Sequence, residues 1–166
     1  MRETLTLMMA VNNIVSVGCD DDKLRTLSQS DVVGIPPGDA TGSLFAGQYM
    51  LTRAWKGPCR CRVGSCATLN LGLGTATVIQ TDGTLQMRNN DAGAVTCDGG
   101  INSDGSFVCG QVESDGVVLS YSLTTGQIML ANGQPASMSG IAESTAVFPG
   151  FDCDLQVGFE AAYVGP

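Results

Sequence analysis

From Leu44 to the C-terminus, apolar and polar side chains alternate with a period of two. In the final run Cys153, Leu155, Val157, Phe159, Ala161 and Tyr163 fall on one face, and Asp154, Gln156, Gly158, Glu160 and Ala162 on the other. Successive side chains of a strand point to opposite sides of its sheet, so this alternation predicts an antiparallel strand with one buried face. Val117, Leu119, Tyr121 and Leu123 oppose Val118, Ser120 and Ser122 in the same way, and Phe45, Gly47, Tyr49 and Leu51 open a comparable run. Further apolar runs lie at 64–73, 75–80, 84–88, 93–97, 106–112, 127–131 and 136–143. Between the runs stand Asp82-Gly83, Asp98-Gly99-Gly100, Asp104-Gly105, Asp115-Gly116, Thr125-Gly126 and Asn132-Gly133. Asp-Gly and Asn-Gly pairs supply the positive φ angles of tight hairpins. The pattern predicts an all-β domain over 43–166, an antiparallel meander of about 8–10 short strands. A meander hides its edges by closing into a barrel or folding into a sandwich, and sequential hairpins without a long crossover favour the barrel.

Gly47 and Tyr49, followed by Trp55, resemble the opening strand of lipocalin-like barrels, where a glycine lets the chain curve and an aromatic plugs one end. That resemblance favours the closed barrel and says nothing of a ligand; a lipocalin-like carrier of a small apolar ligand is a separate alternative function. Nine aromatic residues in the whole chain argue against a large greasy cavity.

Upstream of the domain the pattern changes. Residues 5–17 carry no charge, a length that suits the apolar region of a signal peptide and is too short to span a bilayer. The junction Val15-Ser16-Val17-Gly18-Cys19 resembles the lipobox of bacterial lipoproteins, whose small residues let a signal peptidase close over the backbone. The resemblance implies a signal peptide over 1–18, lipidation of Cys19 as the mature N-terminus, and a protein of the bacterial cell envelope anchored to a membrane. Asp20 to Gly42, with three leading aspartates and Pro36-Pro37-Gly38, then reads as a flexible tether, giving a lipidated N-terminus and tether over 19–42.

The cysteines support export independently. There are seven: Cys19, Cys59, Cys61, Cys66, Cys97, Cys109 and Cys153. Setting Cys19 aside as the lipid carrier leaves six, which suits three disulfides in an oxidising compartment. Cys59 and Cys61, two apart on a strand, are strained as a mutual bridge and call for separate partners. If Cys97 and Cys109 tie neighbouring strands, Cys153 pairs with Cys59 or Cys61, and the other of those two pairs with Cys66. A four-thiolate zinc cage built on Cys59, Cys61 and Cys66 is the reduced alternative.

Charge narrows the function. The net charge is −8, with 8 basic and 16 acidic side chains and no histidine. Such a balance argues against a nucleic-acid surface, and the lack of histidine removes Ser-His-Asp and Cys-His catalysis and His-ligated metals. Asp98, Asp104, Glu113 and Asp115 lie in a glycine-rich stretch, and loop carboxylates of this kind ligate calcium. Their spacing matches neither an EF-hand nor a β-roll, so Asp98, Asp104 and Asp115 read first as turn formers, and no metal or cofactor is expected. Arg53, Lys56, Arg60 and Arg62 cluster within ten positions, whereas no basic residue follows Arg88, so an electrically lopsided domain is expected, its basic rim read first as solvated strand faces and, functionally, as a docking surface for a charged envelope protein or glycan. The functional expectation is a non-enzymatic binding or structural lipoprotein module. A hydrolase or inhibitor using loop carboxylates is its rival.

Overall fold

The computed structural model describes residues 24–66, 74–90, 96–114 and 116–166. It contains eight strands, β1 (Gly47–Val63), β2 (Thr75–Thr81), β3 (Thr84–Asn89), β4 (Thr96–Ile101), β5 (Ser106–Ser114), β6 (Leu119–Ala131), β7 (Gln134–Phe148) and β8 (Phe151–Gly165), preceded by one helical turn, α1 (Gln29–Val32). Each strand pairs antiparallel with the next, and β8 returns to β1, so the sheet is a closed eight-stranded barrel without edges.

The hairpin turns fall at Asp82-Gly83, Asp104-Gly105 and Asn132-Gly133, as the sequence predicts; Asp82 and Asn132 take positive φ of 50° and 53°. Two other glycine signals are not turns. Thr125-Gly126 lies inside β6, which joins the two runs 117–123 and 127–131 into one strand. A Cβ on Gly126 would stand 2.5 Å from the Phe107 ring, so this glycine makes room for an aromatic in the lumen. Asp98-Gly99-Gly100 lies inside β4, where a Cβ on Gly99 would meet the Val108 carbonyl oxygen at 2.0 Å. Both glycines answer close packing instead of chain reversal.

The odd-numbered face of β8 points inward: Cys153, Leu155, Val157, Phe159 and Ala161 are all buried. Leu155, Val157, Phe159 and Ala161 join Tyr49, Val78, Leu85, Ile101, Phe107, Ile128 and Met138 in the main core, and Cys153 belongs to a second cluster with Ala146 and Phe151. Phe45 closes the end of the barrel that carries the 82–83, 102–105 and 132–133 turns. Its N–H donates to Gln80 Oε1, and its carbonyl accepts from the Tyr49 hydroxyl, both at 2.8 Å. On β6 the expected faces are reversed. Ser120 and Ser122 point inward and are buried, while Leu119 is exposed. Ser122 Oγ bonds Ser144 Oγ of the neighbouring strand β7 at 2.7 Å, so these two buried hydroxyls are hydrogen-bonded.

Residues 24–42, where the sequence reads as a flexible tether, lie along the outer wall as a belt. Leu24, Leu27, Val32 and Ala40 are buried, and the Leu27 N–H donates to Thr145 Oγ1 at 2.7 Å. The belt crosses β5 where a Cβ on Gly110 would stand 1.9 Å from the Val32 carbonyl oxygen. It is fixed further on by the Gly38 N–H to the Gly83 carbonyl and the Ala40 N–H to the Ile101 carbonyl. Four apolar anchors and these backbone bonds offset the entropy of ordering a segment whose proline pair already stiffens it.

Candidate functional site

The densest chemistry lies at the seam between β1 and β8, at the barrel end opposite Phe45. On β1, Arg60-Cys61-Arg62 runs against Asp152-Cys153-Asp154 on β8, with Arg60 opposite Asp154 and Cys61 opposite Cys153. Cys61 and Cys153 point into the lumen and form a disulfide; the arginines and aspartates point outward. Cys59, two residues earlier on the same face, is bonded to Cys66 just past the end of β1. Cys97–Cys109 ties β4 to β5. All six cysteines expected in disulfides are therefore paired, and the open choice between Cys59 and Cys61 falls on Cys61 as the partner of Cys153.

Asp154 has no exposed side-chain surface although it faces outward, because the belt covers it. Its carboxylate accepts from Arg60 Nη2 at 2.9 Å, Arg62 Nη1 at 2.6 Å, Thr145 Oγ1 at 2.8 Å and Thr26 Oγ1 at 2.9 Å. Burial pushes the carboxyl pKa up, but the hydrogen bonds from Arg62, Arg60, Thr145 and Thr26 together prevail and hold it well below the usual carboxylate range. Arg62, whose guanidinium also binds Asp152, is pushed up by those two aspartates. Arg60 Nη2 donates in addition to the Leu24 carbonyl, so the belt is tied into the same network. No motif marked Asp154 beforehand. The signal in the sequence is the pair of triplets Arg-Cys-Arg and Asp-Cys-Asp, of complementary charge, which the register sets side by side with Arg60 opposite Asp154 and a bulge after Cys61.

The basic rim is thus largely engaged within the molecule. Arg53 lies 5.2 Å from the Trp55 ring centroid, and its Nη1 is 3.9 Å from Glu160. Trp55 belongs to one outer rung that runs through Val108, Thr125, Ile141 and Gly158, on which Trp55, Val108 and Ile141 remain exposed.

The calcium candidates do not converge. Asp98, on the outer face of β4, accepts from Gln86 Nε2 at 2.7 Å. Asp104 lies in the turn after β4 and accepts from the Ser106 N–H at 2.8 Å. Asp98 stands opposite Gly110, four residues along β5 from Ser106, a separation of roughly 13 Å at strand rise. Glu113 lies farther along the same strand, and Asp115 is outside the described residues, as is Cys19 with the whole of the expected signal peptide. Among the described residues, the one compact group of candidate metal ligands is Cys59, Cys61 and Cys66, whose sulfurs are in disulfides.

Fold and site together define a disulfide-stapled, up-and-down antiparallel barrel with a packed lumen and an outer N-terminal belt. Comparison with protein-family models, curated proteins and solved structures found no match.

Proposed function

We propose that this chain is a bacterial cell-envelope lipoprotein, a non-enzymatic binding or structural module held to a membrane through lipidated Cys19. The observation that carries this reading is the cysteine pairing. Six of the seven cysteines are joined to one another in three disulfides, and the seventh is the one in the Ser16-Val17-Gly18-Cys19 junction. Three disulfides fit an oxidising compartment, and a lone cysteine at a lipobox-like site fits the chemistry of lipid attachment.

The barrel wall supports an anchor in place of direct insertion. A membrane-spanning barrel turns apolar side chains outward and polar ones inward. Here Leu155, Val157 and Phe159 point inward, whereas Asp154, Gln156 and Glu160 point outward. The belt shortens the attachment, because Leu24, five residues after Cys19, is already buried against the barrel. Five peptide units from Cys19 reach at most about 18 Å, so the seam end of the barrel would stand close to the headgroups. An interior filled by large apolar side chains favours a partner on the outer wall, with the exposed rung of Trp55, Ile141 and Val108 as the candidate contact. Fractionation of cells expressing the full chain tests the anchor: wild type should sediment with membranes and Cys19→Ser should become soluble. Membrane association of Cys19→Ser equal to wild type would overturn the proposal.

A further inference from the structure

Two disulfides meet at the seam end with their sulfurs in near contact. Cys61 Sγ lies 3.4 Å from Cys66 Sγ and 4.0 Å from Cys59 Sγ, although Cys61 is bonded to Cys153 and Cys59 to Cys66. Cys59 and Cys61 both pack against the cluster formed by Ala146, Phe151 and Cys153. Cys59, Cys61 and Cys66 are only half-buried, whereas Cys97–Cys109 is enclosed in the barrel. A thiolate exchanges with a disulfide by attacking one sulfur while the other departs, so reach and access decide which bonds exchange.

We propose that Cys59, Cys61, Cys66 and Cys153 form a thiol–disulfide exchange site, at which an entering thiol switches the protein between two pairings. The entering thiolate attacks Cys59, forms a mixed disulfide there, and releases Cys66 as a thiolate 3.4 Å from Cys61. Cys66 then bonds Cys61, and the electron pair of the broken Cys61–Cys153 bond leaves on the Cys153 sulfur. Cys153 attacks Cys59 and expels the entering thiol unchanged. The products are Cys61–Cys66 and Cys59–Cys153. Two disulfides stand before and after, no electrons are gained or lost, and the thiol is a catalyst, whether a small molecule or the active-site thiol of an oxidoreductase. Both pairings keep β1 bonded to β8, so the barrel stays closed while the link between strand seam and the 64–66 turn changes.

The first test uses the full chain carrying Cys19→Ser and Cys59→Ser, in which the only unpaired sulfur starts on Cys66. After incubation near pH 8 without added thiol, acid quenching, unfolding and alkylation, peptide mass mapping should find the label on both Cys66 and Cys153. Label on Cys66 alone would overturn the proposal. The second test incubates the Cys19→Ser chain with a catalytic amount of reduced glutathione and maps the disulfides. Cys61–Cys66 and Cys59–Cys153 should appear while Cys97–Cys109 stays intact, which also reports that the barrel is folded. Persistence of the starting pairing alone, or entry of Cys97 and Cys109 into mixed pairs at the same rate, would contradict a local exchange site.

Discussion

The two ends of the lumen are held by different forces. At the turn end, Phe45, Tyr49, Leu85, Ile101, Phe107, Ile128 and Met138 fill the interior with large apolar side chains. At the seam end Phe151, with Phe148 against it, packs beside Ala146 and Cys153, the lining is otherwise Ser120, Ser122 and Ser144, and two disulfides and the charge network around Asp154 add further links. Where small side chains leave little apolar area to bury, covalent and charge-assisted links supply what packing supplies elsewhere. The difference also bears on reactivity, since the half-buried disulfide sulfurs of Cys59, Cys61 and Cys66 lie at the seam end.

Phe107→Ala strikes the packed end and should have the largest effect, about 3–5 kcal/mol by denaturant unfolding, because the ring fills the space that Gly126 leaves. Replacing Cys61 and Cys153 together by Ala should remove roughly 2–5 kcal/mol, more than loss of either other disulfide, since this bond closes a separation of 92 residues against 7 and 12. A ranking in which Cys97–Cys109 matters most would break the contrast between the ends. Asp154→Asn should destabilise by about 2–4 kcal/mol, and amide exchange should show the belt at Leu27 opening before the barrel.

Acid should act through the same carboxylate. Its pKa is depressed in the folded state, so its contribution is complete above the unfolded value of about 3.9 and is lost as pH falls below that value toward the folded one. Unfolding midpoints measured from pH 6 to pH 2 should therefore fall more steeply for wild type than for Asp154→Asn. Asp31 and Asp104, also depressed by their hydrogen bonds with Ser28 and Ser106, keep some acid sensitivity in the variant. The smallest effect belongs to the outer wall: Arg53→Ala, which removes an exposed cation over Trp55, should change stability by about 1 kcal/mol or less.

Much of this architecture was legible in the sequence because a barrel writes itself locally. The inward face of β8, the Asp82-Gly83 and Asn132-Gly133 hairpins and the separate partners of Cys59 and Cys61 follow from period two, turn chemistry and strand geometry. Gly99 and Gly126 were misread because a glycine needed for close approach looks the same in one dimension as a glycine needed for a turn. Ser120 and Ser122 turn inward against hydrophobicity, and the partner that satisfies the Ser122 hydroxyl, Ser144, lies on the next strand, where the local pattern does not reveal it. Asp154 was hidden for the same reason, its burial depending on a belt more than 120 residues away in sequence. The belt itself lacks periodicity, being shaped by the wall it crosses.

The proposed function has three parts: export of the barrel, its stapling by disulfides and its anchoring through Cys19. Intact mass spectrometry of the protein extracted with detergent from the membranes of its native cells tests all parts together. The expected result is a chain starting at Cys19, carrying added acyl mass and lacking the six hydrogens of three disulfides. An unmodified chain that retains residues 1–18 and has its cysteines as free thiols would contradict it.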